Sequence, residues 1–248
     1  MRSKIVICIP IDLENRQAIA TALAEEYGSE WVLLGRVFKS TIGNENCAID
    51  ILSKNSIYER QIDLSTDFEL SGQNKFSGAT LEQIERCDRL VFLRSDNTGY
   101  NACLVMARLT QVFLSIGGVA VKVESAGIAH TKDKWLANYD SRDVFEIYSL
   151  YVVLVEGDSY YYSAGMHNFG KADVAISSDT NIGLAIYVMN VFNYYRLTES
   201  PILQDGHTFR PDIECPSYQI KLLGEREHPA EDERYNPYGR WLLTDCGL

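Results

Sequence analysis

The alternation of hydrophobic and polar positions along the chain predicts strands and helices in a mixed order. An apolar run in "SKIVICIPI" predicts a buried strand near the N-terminus. The segment "DLENRQAIATALAEEYG" then has capping residues at its start, apolar residues at helical spacing and a glycine at its end, so it predicts a helix. Two further strands are expected in "EWVLLGRVFKSTI" and "CAIDILSK", which gives β-α-β-β for residues 1–55.

The middle of the chain begins with a polar stretch and then returns to regular patterns. Residues 60–78, "RQIDLSTDFELSGQNKFSG", are turn-rich and predict one more strand and a long loop. Beyond them we expect a short helix in "ATLEQIERC", a strand in "DRLVFLRS" and a longer helix in "NTGYNACLVMARLTQVFLSIGG". A half-buried strand in "VAVKVES" and one or two helical turns in "HTKDKWLANY" follow.

The C-terminal part of the chain predicts hairpins around one long helix. The segment "DVFEIYSLYVVLVEGDSYYYSAG" predicts two strands joined by a turn at 156–158, and "ADVAISS" predicts a third. The most apolar helix is expected in "DTNIGLAIYVMNVFNYYRL", with Asp179 as its cap, and closing strands in "SYQIKLLG" and "GRWLLT".

This order indicates an α+β fold, with a mixed or antiparallel sheet, helices packed on it and two loosely similar βαββ-type halves. No linker rich in proline, serine or charge divides the chain. We therefore expect one compact domain over residues 1–248, with residues 60–78 as the place of any subdivision.

Composition and charge narrow the classes of function. The chain is 46% hydrophobic and 23% charged, and its formal net charge is −11. An acidic chain is unsuited to nucleic acid, because phosphate binding depends on lysine and arginine, but it attracts a basic protein partner. The N-terminal apolar run is too short for a membrane span or a signal peptide, and the six cysteines lack the spacing of a disulfide framework or a zinc ribbon. We expect a cytoplasmic protein that binds neither nucleic acid nor membrane.

Residues 160–176, "YYYSAGMHNFGKADVAI", nearly match a phosphate-binding loop. Gly165, Gly170 and Lys171 fit the spacing G-x-x-x-x-G-K. Ala172, however, takes the place of the serine or threonine that holds magnesium, and the following residues alternate like a strand instead of beginning a helix. We therefore expect a glycine-bounded turn between two strands, and no cofactor.

Candidate catalytic residues are dispersed histidines and acids. No H-x-x-x-H or H-E-x-x-H pair occurs, so no metal is predicted. His167 and His207, with Asp173 or Asp205, are candidates for a shared acid/base pair or ligand set. A weaker group, Glu124 with His130, lies near the end of a predicted strand in "VESAGIAH". Histidines outside any motif more often bond local backbone, so a structural role stays the main alternative.

Four strings carry a resemblance that is more specific than any catalytic motif. They are "GGVAVKVESAGIAH" (117–130), "YYSAGMHNFG" (161–170), "DGHTF" (205–209) and "NPYGRW" (236–241). Over roughly residues 75–245 the chain resembles an uncharacterised bacterial family, a domain of unknown function. The resemblance implies an α+β fold and assigns no activity. Some uncharacterised bacterial families of this size act as immunity proteins beside secreted toxins, which is an analogy only.

Two hypotheses of function stay open at this point. The first is a non-catalytic cytoplasmic binding protein, an inhibitor or immunity protein that neutralises a bacterial toxin through its acidic surface. The second is a small-molecule or metal-dependent enzyme with a cleft formed by His130, His167, Asp173, Asp205 and His207. The sequence contains no intact catalytic motif, which favours the first hypothesis.

Overall fold

The computed structural model describes residues 4–12, 16–28, 31–40, 46–54, 63–72, 76–224 and 228–247. In this part of the chain, thirteen strands form two sheets, and seven α-helices pack against them. The predicted α+β class, with mixed and antiparallel sheets, is confirmed. Among the described residues, no helix has both the length and the apolar character needed to cross a lipid bilayer.

The N-terminal sheet is antiparallel throughout. Its strands are β1 (Ile5–Ile11), β2 (Trp31–Leu34), β3 (Val37–Ser40), β4 (Asn46–Ser53), β5 (Arg89–Ser95), β6 (Ala120–Val123) and β7 (Ile128–Thr131). They lie in the order β2-β3-β4-β5-β1-β6-β7. The helices in this half and the connection that follows it are α1 (Arg16–Tyr27), α2 (Leu64–Ser71), α3 (Gly78–Arg86), α4 (Tyr100–Ser115), α5 (Lys132–Asn138) and α6 (Val144–Tyr151).

The C-terminal sheet has six strands and one parallel pair. Its strands are β8 (Val153–Glu156), β9 (Tyr160–Ala164), β10 (Asp173–Ser177), β11 (Thr208–Phe209), β12 (Tyr218–Leu223) and β13 (Arg240–Asp245). They lie in the order β11-β12-β13-β10-β9-β8, with β10 and β13 parallel. A 3₁₀ helix (Met166–Phe169) connects β9 to β10, and α7 (Ile182–Thr198) packs on one face of the sheet.

Strand β1 is apolar at nearly every position because both of its faces are covered. All seven of its residues are buried. Its four isoleucines face a core shared with α1 and α4, while Val6 and Cys8 face a second core with α2 and α3. Since successive side chains of a strand point to opposite faces, an unbroken apolar run is stable only where both faces are packed.

The prediction of a strand and a loop over residues 60–78 is wrong in its described part, because residues 64–71 form α2. Asp63 caps this helix, since its carboxylate accepts a hydrogen bond from the backbone N–H of Thr66 at 2.6 Å. Leu64 and Phe68, one helical turn apart, are its two buried residues. A single buried apolar pair at helical spacing is therefore enough to anchor α2, although its other residues are polar apart from the exposed Leu70.

Four further details differ from the prediction. The segment "WVLLGRVFKS" forms a hairpin, β2 and β3, with Gly35 in the left-handed region at φ 65°, rather than one strand. Residues 144–151 form α6, which Asp143 caps. The two strands expected in this segment are therefore shorter than predicted and are β8 and β9. The cap of α7 is Asn181 and not Asp179. Strand β7 was not expected, while the turn at 156–158 is confirmed.

Gly165 lies where the two sheets meet and has no room for a side chain. Its φ is 114°, and a Cβ there would overlap the carbonyl oxygen of Tyr151 and lie 2.9 Å from the Cβ of Ala126. Tyr151 ends α6 and Ala126 lies between β6 and β7, so three segments approach closely only because residue 165 is a glycine.

We expect Gly165→Ala to destabilise the protein by about 3 kcal/mol or more, because it adds overlap to backbone strain. The matched control is Gly206→Ala, which has a φ of 85° but open space around the added methyl group. Its cost is strain alone, about 1–2 kcal/mol. Chemical denaturation measures both, and equal losses for the two variants would contradict the proposed close approach.

Candidate functional site

The predicted site residues do not share one accessible cleft. His130, His167 and Asp173 are buried, whereas Asp205 and His207 are exposed. Asp173 begins β10 and His207 precedes β11, which lies three strands away in the sheet. At the usual strand spacing this corresponds to ~14 Å, which is beyond hydrogen-bond reach. The structure therefore separates His207 from Asp173 and from the buried His167.

Two of these residues have clear structural roles. The ring of His130 donates from Nε2 to the carbonyl oxygen of Leu150 at 3.0 Å and so ties β7 to α6. Burial lowers the pKa of His130 to about 4, which keeps the ring neutral at physiological pH. The Asp205 carboxylate accepts from the backbone N–H of Leu222 at 2.8 Å and fixes the turn before β11.

The stretch that nearly matches a phosphate-binding loop is a turn between strands, as predicted. Gly165 and Gly170 bound the 3₁₀ helix, both with positive φ, and β10 begins at Asp173. The turn is fixed to the first half of the chain, because the carbonyl oxygen of Asn168 accepts from the backbone N–H of Gly99 at 2.9 Å. The backbone of this turn therefore connects the second half of the chain to the first.

The buried carboxylate of Asp173 joins three segments of the second half, beside this contact. Oδ1 accepts from Ser163 Oγ and from the backbone N–H of Met166, both at 3.1 Å. Oδ2 accepts from Asn236 Nδ2 at 2.6 Å. Desolvation raises the pKa of Asp173 to about 6, although these hydrogen bonds and the nearby Arg240 favour the charged form. The carboxylate is therefore mostly ionised at pH 7.

A buried arginine lies behind this carboxylate. Arg196 of α7 donates from one terminal nitrogen to the carbonyl oxygen of Ala172 at 2.7 Å and from the other to the side-chain oxygen of Asn193. Burial lowers the pKa of Arg196 to about 10, while the charge of Asp173 acts to raise it. The guanidinium therefore stays charged and offsets part of the cost of burying Asp173.

Three of the four strings that carry the family resemblance meet here. Ser125 of "VKVESAGIAH" donates from Oγ to Asn168 Oδ1 in the "GMHNFG" turn at 2.8 Å. Asn236 of "NPYGRW" bonds Asp173 just after that turn. We call this region the sheet junction, defined by Ser125, Asn168, Asp173 and Asn236. The string "DGHTF" lies apart, at the β11 edge of the second sheet.

Sequence reasoning missed Ser163 and Asn236 as partners of Asp173. Asn236 is 63 residues away from Asp173 along the chain, so no local pattern links the two side chains. The one available signal was that both residues lie within or beside the strings of the resemblance.

An open cleft of about 370 Å³ lies between the two sheets, beside the junction. Val153 and Val155 of β8 and their cross-strand neighbours Ala164 and Tyr162 share one face of the β8–β9 pair and line it. The end of α2 and the turn between β6 and β7 form its walls, and the segment before β13 adds Arg234. Its volume lies within the range of ligand-binding sites.

Three cations lie near this cleft: Arg240 lies over the Tyr162 ring, with its guanidinium carbon 4.3 Å from the ring centroid, and Lys122 and Arg234 are held in ion pairs. The Lys122 ammonium contacts both carboxylate oxygens of Asp67, at 2.8 and 2.7 Å, and Glu124 at 3.2 Å. Asp232 accepts two hydrogen bonds from the Arg234 guanidinium, at 2.9 and 2.7 Å. Neither Lys122 nor Arg234 is therefore available to bind an incoming anion without breaking an ion pair.

The carboxylates of the cleft exceed its cations. Glu156 lines the cleft, and Asp67, Glu124, Asp232 and Glu233 lie near its walls; against Arg234 on the lining and Lys122 and Arg240 nearby, these five carboxylates and three cations give a net charge of −2. Desolvation raises the pKa of Glu124, and the negative charge of Glu233 adds to that effect. Glu124 is thus the one predicted site residue near the cleft, since it interacts with Arg234 of the lining, and it is part of an acidic group.

No metal centre emerges from the described residues, since no three histidine, cysteine, aspartate or glutamate side chains there are arranged to hold an ion. Comparison of the chain with models of protein families, with curated proteins and with solved structures gives no significant match. The resemblance to an uncharacterised bacterial family therefore stays a prediction.

We expect Asp173→Asn to remove a pH dependence from stability. The pKa of Asp173 rises from 3.8 to about 6 on folding, so its contribution to stability is present below pH 4 and is lost as the pH rises through 6. Relative to the variant, the wild type should lose about 2 kcal/mol of unfolding free energy between pH 4 and 7.

Chemical denaturation at several pH values measures this difference. Glu25→Gln, at an exposed carboxylate of α1, is the matched control and should show the same pH dependence as the wild type. A constant difference between wild type and Asp173→Asn over this range would show that burial does not shift the titration of Asp173.

Proposed function

We propose that this protein is a non-catalytic cytoplasmic binding protein whose cleft between the two sheets holds a basic part of a protein partner. The observation that carries the proposal is the excess of carboxylates around the cleft, where Lys122 and Arg234 are engaged in ion pairs and Arg240 lies over the Tyr162 ring. A positively charged partner gains from Glu124, Glu156 and Glu233, whereas an anion meets repulsion.

The lining of the cleft also suits a basic side chain. Lysine and arginine bury their methylene stems on apolar surface while the charged end reaches polar groups. Val153, Val155 and Ala164 supply the apolar surface, and Glu156 lies exposed at its end. The same cleft therefore offers favourable contacts to both parts of such a side chain.

The arrangement of the other candidate residues does not favour the enzyme hypothesis. Asp173 and His130 are buried and hydrogen-bonded within the fold, and Asp205 holds a turn. Catalysis requires a general acid and a general base that face the same substrate cavity, and none of these contacts brings them together. We therefore retain binding as the proposed activity.

The finer proposal is an inhibitor that neutralises a bacterial toxin. The net charge of −11 and the acidic cleft support it, since a basic toxin surface is then attracted at long range. The six cysteines, all free thiols, fit the reducing conditions of the cytoplasm. Rescue of growth during co-expression with a basic toxin, lost in cleft variants, is the expected behaviour.

We expect a basic probe peptide, acetyl-Lys-Val-Lys-Val-Lys-Val-amide, to bind in a salt-dependent manner. Affinity should fall roughly tenfold between about 0.05 and 0.5 M NaCl, because salt screens exposed charges. The double variant Glu156→Gln/Glu233→Gln should weaken binding roughly fivefold at low salt. Fluorescence anisotropy of a labelled peptide measures both effects.

The matched control removes two carboxylates elsewhere. Glu25→Gln/Glu26→Gln changes the net charge equally on the exposed surface of α1 and should leave affinity within about twofold of the wild type. Equal weakening by both double variants, or binding that ignores salt, would contradict an acidic binding cleft. The peptide with glutamate in place of lysine should not bind.

A further inference from the structure

We propose that the basic partner enters the cleft as an extended segment and adds as a strand to the outer edge of β8. This inference rests on the proposed function, because it specifies how a basic partner occupies the same cleft. Three observations support it. They are which backbone groups of β8 point away from β9, the course of the cleft along that strand and the placement of the carboxylates.

The outer side of β8 carries backbone hydrogen-bonding groups that no strand of the described residues uses. Gly157 donates from its backbone N–H to the carbonyl oxygen of Tyr160 at 2.9 Å, which fixes the phase of the β8–β9 ladder. Bonded and non-bonded pairs alternate in an antiparallel ladder, so Val153 and Val155 bond to β9. The backbone groups of Leu154 and Glu156 therefore point away from β9.

The β9–β10 ladder agrees with this phase. Ser178 donates from its backbone N–H to the carbonyl oxygen of Ser159 at 3.1 Å, so Tyr161 bonds to β10, and the backbone of Tyr162 faces β8. In the described part of the chain, no strand pairs with the outer side of β8. Such an edge is a ready template for an added strand.

The cleft follows this edge along its full length. All four residues of β8 line it, and residues 70–72 at the end of α2 lie on its far side. An extended segment placed there satisfies the outward N–H and C=O groups of Leu154 and Glu156. It also lays alternate side chains on the apolar surface of Val155 and Tyr162.

Charges lie where an added basic strand would meet them. Glu156 ends β8 and is exposed. On the face of Val155 and Tyr162, the Arg234 guanidinium interacts with Tyr162 and Glu124, and Arg240 lies over the Tyr162 ring. A lysine or arginine of the segment on the side of Glu156 therefore approaches a carboxylate, while the opposite face offers an apolar surface to the residues between.

A second exposed surface fits a basic segment less well. The outer face of α7 exposes Ile182, Ile186, Tyr187 and Tyr194, and the one charged residue of this helix, Arg196, is buried. An uncharged face gives a basic segment no electrostatic preference. Binding of the probe at α7 is therefore an outcome that overturns the proposal.

The test compares Glu156→Pro with Glu156→Ala. Both variants lose the carboxylate, but only proline also loses the outward N–H, and proline is tolerated at such a position of an edge strand. We expect the basic probe peptide to bind Glu156→Pro about fivefold to tenfold more weakly than Glu156→Ala, the effect of one lost hydrogen bond.

A second measurement uses the wild-type protein and so does not depend on how the variants fold. The same peptide with every backbone nitrogen methylated keeps its charges and side chains but has no donors for β8. It should bind at least tenfold more weakly than the parent peptide, because more than one hydrogen bond is lost.

The possible failures are distinct. If the parent peptide binds in a salt-dependent manner but methylation and proline leave its affinity unchanged, strand addition is wrong and the acidic binding cleft survives. If the parent peptide does not bind at low salt, the proposed function is wrong, and strand addition is then wrong as well.

Discussion

The buried carboxylate of Asp173 holds together three segments of the second sheet, beside the place where that sheet meets the first. A charge removed from water needs several partners, and Asp173 takes them from β9, from the 3₁₀ turn and from the segment before β13. That last segment also carries Asp232 and Arg234, which border the cleft. The position of the cleft therefore depends on a carboxylate that lies outside it.

The same arrangement explains why an acidic cleft forms at this place. Gly165 lets the turn approach α6 closely, and the turn between β6 and β7 then faces the β8–β9 pair. Lys122 and Arg234 are each neutralised by a neighbouring aspartate, so the remaining carboxylates set the sign of the charge. An unpaired strand edge and an acidic surface thus occur together, and both favour an extended basic segment.

Much of the fold was predictable from the sequence because its signals are local. Burial on both faces makes β1 continuously apolar, and the glycines around the 3₁₀ turn mark a sharp connection between strands. Helix α2 was missed because its packing depends on two apolar residues among polar ones. The surroundings of the histidines could not be predicted. Burial of His167 and exposure of His207 follow from strand order, which no local pattern specifies. For the same reason the cleft itself was not foreseeable, apart from Glu124.

Amide hydrogen exchange at individual residues of β8 tests the account most directly. With acetyl-Lys-Val-Lys-Val-Lys-Val-amide bound, the outward N–H groups of Leu154 and Glu156 should exchange at least tenfold more slowly, because they then donate to the added strand. Those of Val153 and Val155, already bonded to β9, should change little. Unchanged exchange at Leu154 and Glu156, with protection appearing on α7 instead, would contradict the account.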